Sequence, residues 1–119
     1  MTGANGQISA TLLLVEDEIL IRMVLADDLR MAGLDVVEAF NGEEGLALFD
    51  ANPDIRLVIS DIRVPGAIDG VALTETIKRK RPDVPVILVS AHLPDGRETV
   101  ADRFLRKPCD HLLIIESAR

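Results

Sequence analysis

Apolar residues fall into short unbroken runs, separated by stretches in which they recur every three or four positions. Thr11 to Val15 is the first run, the pattern of a strand buried on both faces. Past Glu16, Asp17 and Glu18 the spacing turns helical: Ile21, Leu25, Leu29 and Ala32 share a face, and Gly33 is the stop. Leu34 to Glu38 predicts a second strand. Asn41 is the N-cap of a second helix, with Glu44 as its capping-box partner, and the helix runs to about Ala51, before Pro53. Ile55 to Ser60 predicts a third strand, and Pro65, Gly66, Asp69 and Gly70 mark a loop. Val71 to about Arg81 is a third helix, packed through Leu73 and Ile77. Its Lys78 to Arg81 run reads as a solvated last turn that complements the helix dipole. Val84 to Val89 predicts a fourth strand, Arg103 to Arg106 a fifth, and Asp110 to Ala118 a last helix.

Strand and helix alternate throughout, which demands a parallel sheet covered on both faces. For five strands in so short a chain, the flavodoxin-like doubly wound α/β order 2-1-3-4-5 fits best. One crossover is short of residues. Leu93-Pro94-Asp95-Gly96 is turn chemistry, which leaves at most Arg97 to Asp102 for a fourth helix, under two turns or about 9 Å. With only Val100 and Ala101 to bury, that helix is expected to be vestigial or mobile. Residues 1–10 are expected to form a flexible polar tail and residues 11–119 a single domain.

Charge and composition narrow the function. Thirteen Lys and Arg against 20 Asp and Glu give a net charge of −7, which repels nucleic acid and anionic membranes. Three Phe, with no Trp or Tyr, leave little to stack a base or flavin ring. No apolar run approaches the ~20 residues of a membrane span, and the first ten residues lack a signal-peptide pattern. The single cysteine, Cys109, excludes an internal disulfide and fits a reducing compartment. A cytoplasmic location is the expectation. Cys109, Asp110 and His111 are too close together for a tetrahedral zinc site.

Sheets of this kind carry their chemistry past the carboxyl ends of the strands. The first strand ends in Glu16 and Asp17, the third in Asp61, the fourth in Ser90, and the fifth in Arg106, Lys107 and Pro108. Three carboxylates, a hydroxyl and an ammonium therefore meet on one rim. Two charges ~5 Å apart at an effective dielectric of ~20 repel by roughly 3 kcal/mol, so three pairs approach 10 kcal/mol. Such a cluster protonates, distorts or binds a cation, and oxygen ligands of this kind suit Mg²⁺. Lys107 offers a compact positive charge to a phosphate, Ser90 a hydroxyl, and Asp61 a carboxylate nucleophile. Each part alone also has a plain reading. Glu16 to Glu18 make an ordinary acidic first turn, Ser90 a strand-end cap, Phe104 a core residue and His92 a solvated loop residue that otherwise flanks the phosphate entrance.

Together the segments LLLVEDE (Leu12 to Glu18), VISDIRVPG (Val58 to Gly66), PVILVSA (Pro85 to Ala91) and FLRKP (Phe104 to Pro108) resemble the receiver domain of two-component response regulators. The resemblance implies Asp61 as phosphoacceptor and Glu16, Asp17, Asp61 and the Arg63 carbonyl as Mg²⁺ ligands. It further implies Ser90 and Phe104 as switch residues, Lys107 as the phosphate-contacting lysine, and a cis bond between Lys107 and Pro108. The loop between Pro65 and Asp69 is one residue longer than the usual family form. A receiver takes its phosphoryl group from a histidine kinase or a histidine phosphotransfer protein and passes the signal to a downstream protein. With no effector segment in this sequence and a curtailed fourth helix, a stand-alone monomer is expected, not an enzyme acting on external substrates. A phosphohydrolase with an aspartate nucleophile usually keeps a second carboxylate two residues on, where this chain has Arg63. A flavin or nucleotide carrier on the same fold lacks its Gly-rich or Ser/Thr-rich phosphate loop here.

Overall fold

The computed structural model describes residues 10–90, 101–107, 114 and 116. The element order is β1 (Thr11–Val15), α1 (Ile19–Met31), β2 (Asp35–Ala39), α2 (Gly42–Ala51), β3 (Ile55–Asp61), α3 (Gly70–Lys80), β4 (Val86–Ser90) and β5 (Arg103–Arg106). Ile114 and Glu116 are helical, within the span expected for the last helix. The tail at 1–9, the curtailed fourth helix, His92, Cys109 and the Lys107–Pro108 bond lie outside the described residues.

All strands run parallel in the order β2-β1-β3-β4-β5, as the alternation requires. Leu12 to Val15 show why a continuous apolar run was needed. Leu13 and Val15 face one core with Phe49 of α2 and Leu73 and Ile77 of α3, while Leu12 and Leu14 face another with Leu25, Ala26 and Leu29 of α1. Leu12 and Leu13 are both fully buried. Truncating either to alanine would cost about 2–5 kcal/mol through lost transfer energy and the cavity left behind.

Several element limits differ from expectation by a residue or two. Pro85 lies before β4 instead of inside it, and its carbonyl accepts from Val58 N at 3.0 Å. β3 extends through Asp61, which still pairs with Val89. Ile21, expected on the buried face of α1, is 39% exposed, because the face turns through Arg22 instead. The basic run that closes α3 is solvated only in part: Arg79 and Lys80 are exposed, Lys78 and Arg81 partly buried. Lys78 donates to the Val84 carbonyl at 2.8 Å and pairs with Asp102 at 2.6 Å. Lys80 pairs with Asp50, and Arg81 lies over the Phe49 ring. These cations stitch α3 to its neighbours. The second helix matches its sequence signals: Asn41 Oδ1 accepts from Glu44 N at 2.8 Å, and Glu44 reaches back to Phe40 N at 2.9 Å.

Candidate functional site

The carboxyl ends of β1 and β3 bring Glu16, Asp17 and Asp61 together, with one carboxylate oxygen of each within 4.8 Å of the others. The parallel register sets this spacing, because Val15 and Ser60 are direct partners and the chains leave the sheet side by side. β5 delivers Lys107 to the same point. Lys107 N donates to the Ser90 carbonyl at 2.7 Å, which carries the strand pairing one residue beyond β5. Its Nζ then reaches Asp61 Oδ2 at 2.6 Å and Glu16 Oε1 at 3.0 Å. The rim is therefore built from three adjacent strands and the lysine that follows a fourth.

The three carboxylates are not equivalent. Glu16 is buried, Asp61 half-buried and Asp17 exposed. Burial pushes the Glu16 carboxyl above its ordinary range, and the nearby Asp61 charge adds to this. The Glu18 amide, 3.1 Å from Oε2, and Lys107 oppose the shift without cancelling it. Burial pulls the Lys107 ammonium down, but hydrogen bonds to Asp61 and Glu16 outweigh it and leave the group above its ordinary value. Asp61 also accepts from Arg63 N at 3.2 Å through Oδ1, so each of its oxygens has a donor. Among the described residues Asp17 has neither a hydrogen bond nor an ion pair. One ammonium thus faces three carboxylates, and the uncompensated charge lies on the open side.

An all-oxygen donor set with two accessible members and a charge deficit is what Mg²⁺ takes, since that ion keeps several waters and binds few direct carboxylates. The residues present fit the ion. Ser90 is buried at the end of β4, and Phe104 is half-buried against the core beneath the rim. The structure thus gathers Glu16, Asp17, Asp61, Arg63, Ser90 and Lys107 at one end of the sheet. Phe104 lies further down β5, beside Leu88 of β4.

Two supporting residues escaped the sequence reading. Arg22 donates through Nη1 to the Glu16 carbonyl at 3.0 Å and through Nε to Glu38 at 3.2 Å, which fixes the turn that presents Glu16 and Asp17. A signal existed, since Arg22 shares the helical face of Leu25 and Leu29. Ser60 donates its hydroxyl to the Asp61 carbonyl at 2.8 Å, and a serine inside an apolar strand run was the corresponding hint.

No helix among the described residues is long and apolar enough to cross a membrane. The family model of the response regulator receiver domain matches residues 12–119. The receiver domain of the hybrid histidine kinase CckA superposes with a TM-score of 0.78 at 38% identity, covering 91% of this chain and 94% of that one. A cyclic di-GMP phosphodiesterase of Thermotoga maritima is 36% identical over 105 residues, 82% of this chain and 27% of that protein. The transcriptional regulator NtrC of Salmonella typhimurium is 47% identical over 79 residues, 66% of this chain and 16% of that protein. The chain spans about a quarter or less of the length of these two relatives. Its sheet order, its acidic rim and a match over nearly all of its length agree: the chain belongs to the response regulator receiver domains, the phosphorylation-signalling domains of two-component systems.

Proposed function

We propose that this receiver accepts a phosphoryl group on Asp61 from the phosphohistidine of a histidine kinase or histidine phosphotransfer protein. The observation that carries the reading is the Asp61 side chain itself. It ends the central strand with Lys107 Nζ 2.6 Å from one oxygen and the Arg63 amide 3.2 Å from the other, and two more carboxylates stand beside it. An Asp61 oxygen attacks phosphorus, the new O–P bond forms, and the P–N bond to the donor imidazole breaks. The bonding pair stays on that nitrogen, so the donor leaves as a neutral imidazole when its other nitrogen carries a proton. Aligning the donor and neutralising charge are the main tasks left to the protein.

Receiver domains generally bind Mg²⁺ at an acidic pocket. Glu16, Asp17 and Asp61, with the Arg63 carbonyl, would hold the ion here. When bound, it supplies positive charge to the phosphoryl oxygens. Lys107 moves from its carboxylate partners toward the new anion, Ser90 supplies a hydroxyl to a phosphoryl oxygen, and Phe104 shifts inward as the second of two packings gains population. Arg63 in place of a second catalytic carboxylate supports acceptance of the group over turnover of external substrates. His92 is proposed to flank the phosphate entrance. The protein is proposed to act in the cytoplasm as a monomer, passing its signal to a separate downstream protein.

The test uses acetyl phosphate with Mg²⁺ and intact-mass detection. The wild type should gain one phosphoryl group and Asp61→Asn none. Undiminished labelling of the Asn variant would remove Asp61 from the role.

A further inference from the structure

The segment between β3 and α3, residues 62–69, brings the Arg63 amide to the acceptor, and a residue of α2 holds it. The segment closes at its far end where Gly70 N donates to the Ile62 carbonyl at 2.8 Å. Its middle is gripped by Glu43. Oε1 of Glu43 accepts from Ile68 N at 2.8 Å, across 25 positions of sequence. The same carboxylate lies against Gly66, where a β-carbon would run into Oε2. Gly66 has φ of +100°, a backbone conformation that favours glycine. Beside Glu43, Gly42 brings the first turn of α2 so close to Ile68 that a β-carbon would strike the Ile68 carbonyl.

A first-turn acid needs none of this to favour the helix dipole, and Glu44 already completes the capping box. Glu43 pairs with no cation among the described residues. Its carboxylate accepts from Ile68 N and lies against Gly66. Between the bonded Ile68 and Arg63 stand Val64, buried in the core, Pro65, whose ring fixes φ, Gly66 and Ala67. A shift at Gly66 therefore reaches Arg63 through few free torsions.

We propose that Glu43 is a positioning residue for phosphoryl acceptance: it clamps residues 66–68 onto α2 and thereby holds the Arg63 amide on Asp61. This rests on the acceptor role of Asp61 proposed above. Loss of the clamp leaves the Asp61 carboxylate, Lys107 and the carboxylates that follow β1 in place but loosens Arg63, whose amide donates to the attacking group and whose carbonyl is the proposed Mg²⁺ ligand.

The experiment compares wild type, Glu43→Ala and Glu43→Gln at saturating acetyl phosphate and Mg²⁺, with Asp61→Asn as the acceptor control. Glu43→Ala should phosphorylate roughly tenfold more slowly, since small misplacements of an aligned group cost one to two decades. Amide exchange at Arg63 and Ile68 should quicken with it, while the melting temperature changes little. Glu43→Gln keeps an acceptor oxygen and should recover most of the rate, which a mere loss of stability would not explain. A wild-type rate in Glu43→Ala, with Asp61→Asn inert, would overturn the clamp and spare the acceptor reading. So would a glutamine variant as slow as the alanine one. Labelling of Asp61→Asn would instead overturn the acceptor reading, and the positioning role with it.

Discussion

The two ends of the sheet use the same chemistry in different proportions. At the amino ends, one lysine meets one carboxylate: Lys78 pairs with Asp102, and Asp102 Oδ2 also accepts from Val86 N at 2.7 Å. Asp102 N returns a bond to the Val86 carbonyl at 2.9 Å, so β4 and β5 start in fixed register. At the carboxyl ends, one lysine meets three carboxylates, two of which it contacts directly. A matched pair with its remaining valences on backbone is a staple. On the proposed function, a lysine outnumbered by carboxylates leaves charge for a cation to relieve and an ammonium to meet an arriving phosphoryl group. Charge count, more than residue type, separates structure from function here.

Removal of Lys107 should have the largest effect. Lys107→Ala should slow phosphorylation by about a hundredfold or more, the scale of losing one preorganised charge at a developing anion. Quench-flow or timed intact-mass labelling reads it. The matching change at the other end, Asp102→Ala, should leave the labelling rate near wild type. Its cost is roughly 1–2 kcal/mol of stability, because Val86 N and Lys78 lose their acceptor, and urea unfolding would show it. A labelling defect in Asp102→Ala as large as that of Lys107→Ala would erase the distinction between the two ends.

Next in size is the response to Mg²⁺. Thermal melts should move upward by a few degrees in millimolar Mg²⁺, by mass action on the folded state. Asp17→Asn should abolish the shift, and Asp102→Ala should retain it. Chelation should return the wild type to its ion-free melt.

The smallest effect is in the pH dependence, and its sign differs between the ends. Burial pushes Asp102 up, but Lys78 and the Val86 amide outweigh it and hold the carboxyl below its ordinary value of 3.8. The stability it contributes is full above that value and lost as pH falls through the lower folded one. Glu16 lies above its ordinary 4.5 through burial, so its neutral form favours the fold, and that contribution fades as pH rises through the folded value. Without Mg²⁺, Glu16→Gln should therefore be more stable than wild type near pH 7, while Asp102→Asn should flatten the acid limb. Equilibrium unfolding across pH 3–7 would expose either error of sign.

Much of this was legible in the chain. Near-continuous apolar runs marked β1, β3 and β4, because a strand buried on both faces leaves such a local pattern. The edge strand β5, in which only Leu105 is buried, still emerged over Arg103–Arg106 as expected. The acidic rim followed from strand ends and order. What stayed hidden depends on contacts far apart in sequence. Lys78 looked solvated because its acceptor, Asp102, lies 24 positions away, and nothing in a basic run tells which member turns inward. Glu43 carried no local signal because its donor, Ile68 N, lies 25 positions on. Ile21 and Arg22 exchanged roles because a strand-end carbonyl, absent from any helical-wheel pattern, drew the guanidinium toward Glu16.

The most direct measurement of the contrast between the two ends is an NMR titration of the wild type with beryllofluoride and Mg²⁺, a phosphoryl mimic that needs no donor. Amide shifts should concentrate at Glu16, Asp17, Asp61, Arg63 and Lys107, and extend to Phe104, with Val86 and Asp102 unmoved. Shifts centred on Val86 and Asp102, or a rim that does not respond, would contradict the assignment of phosphoryl acceptance to the end of the sheet where one lysine faces three carboxylates.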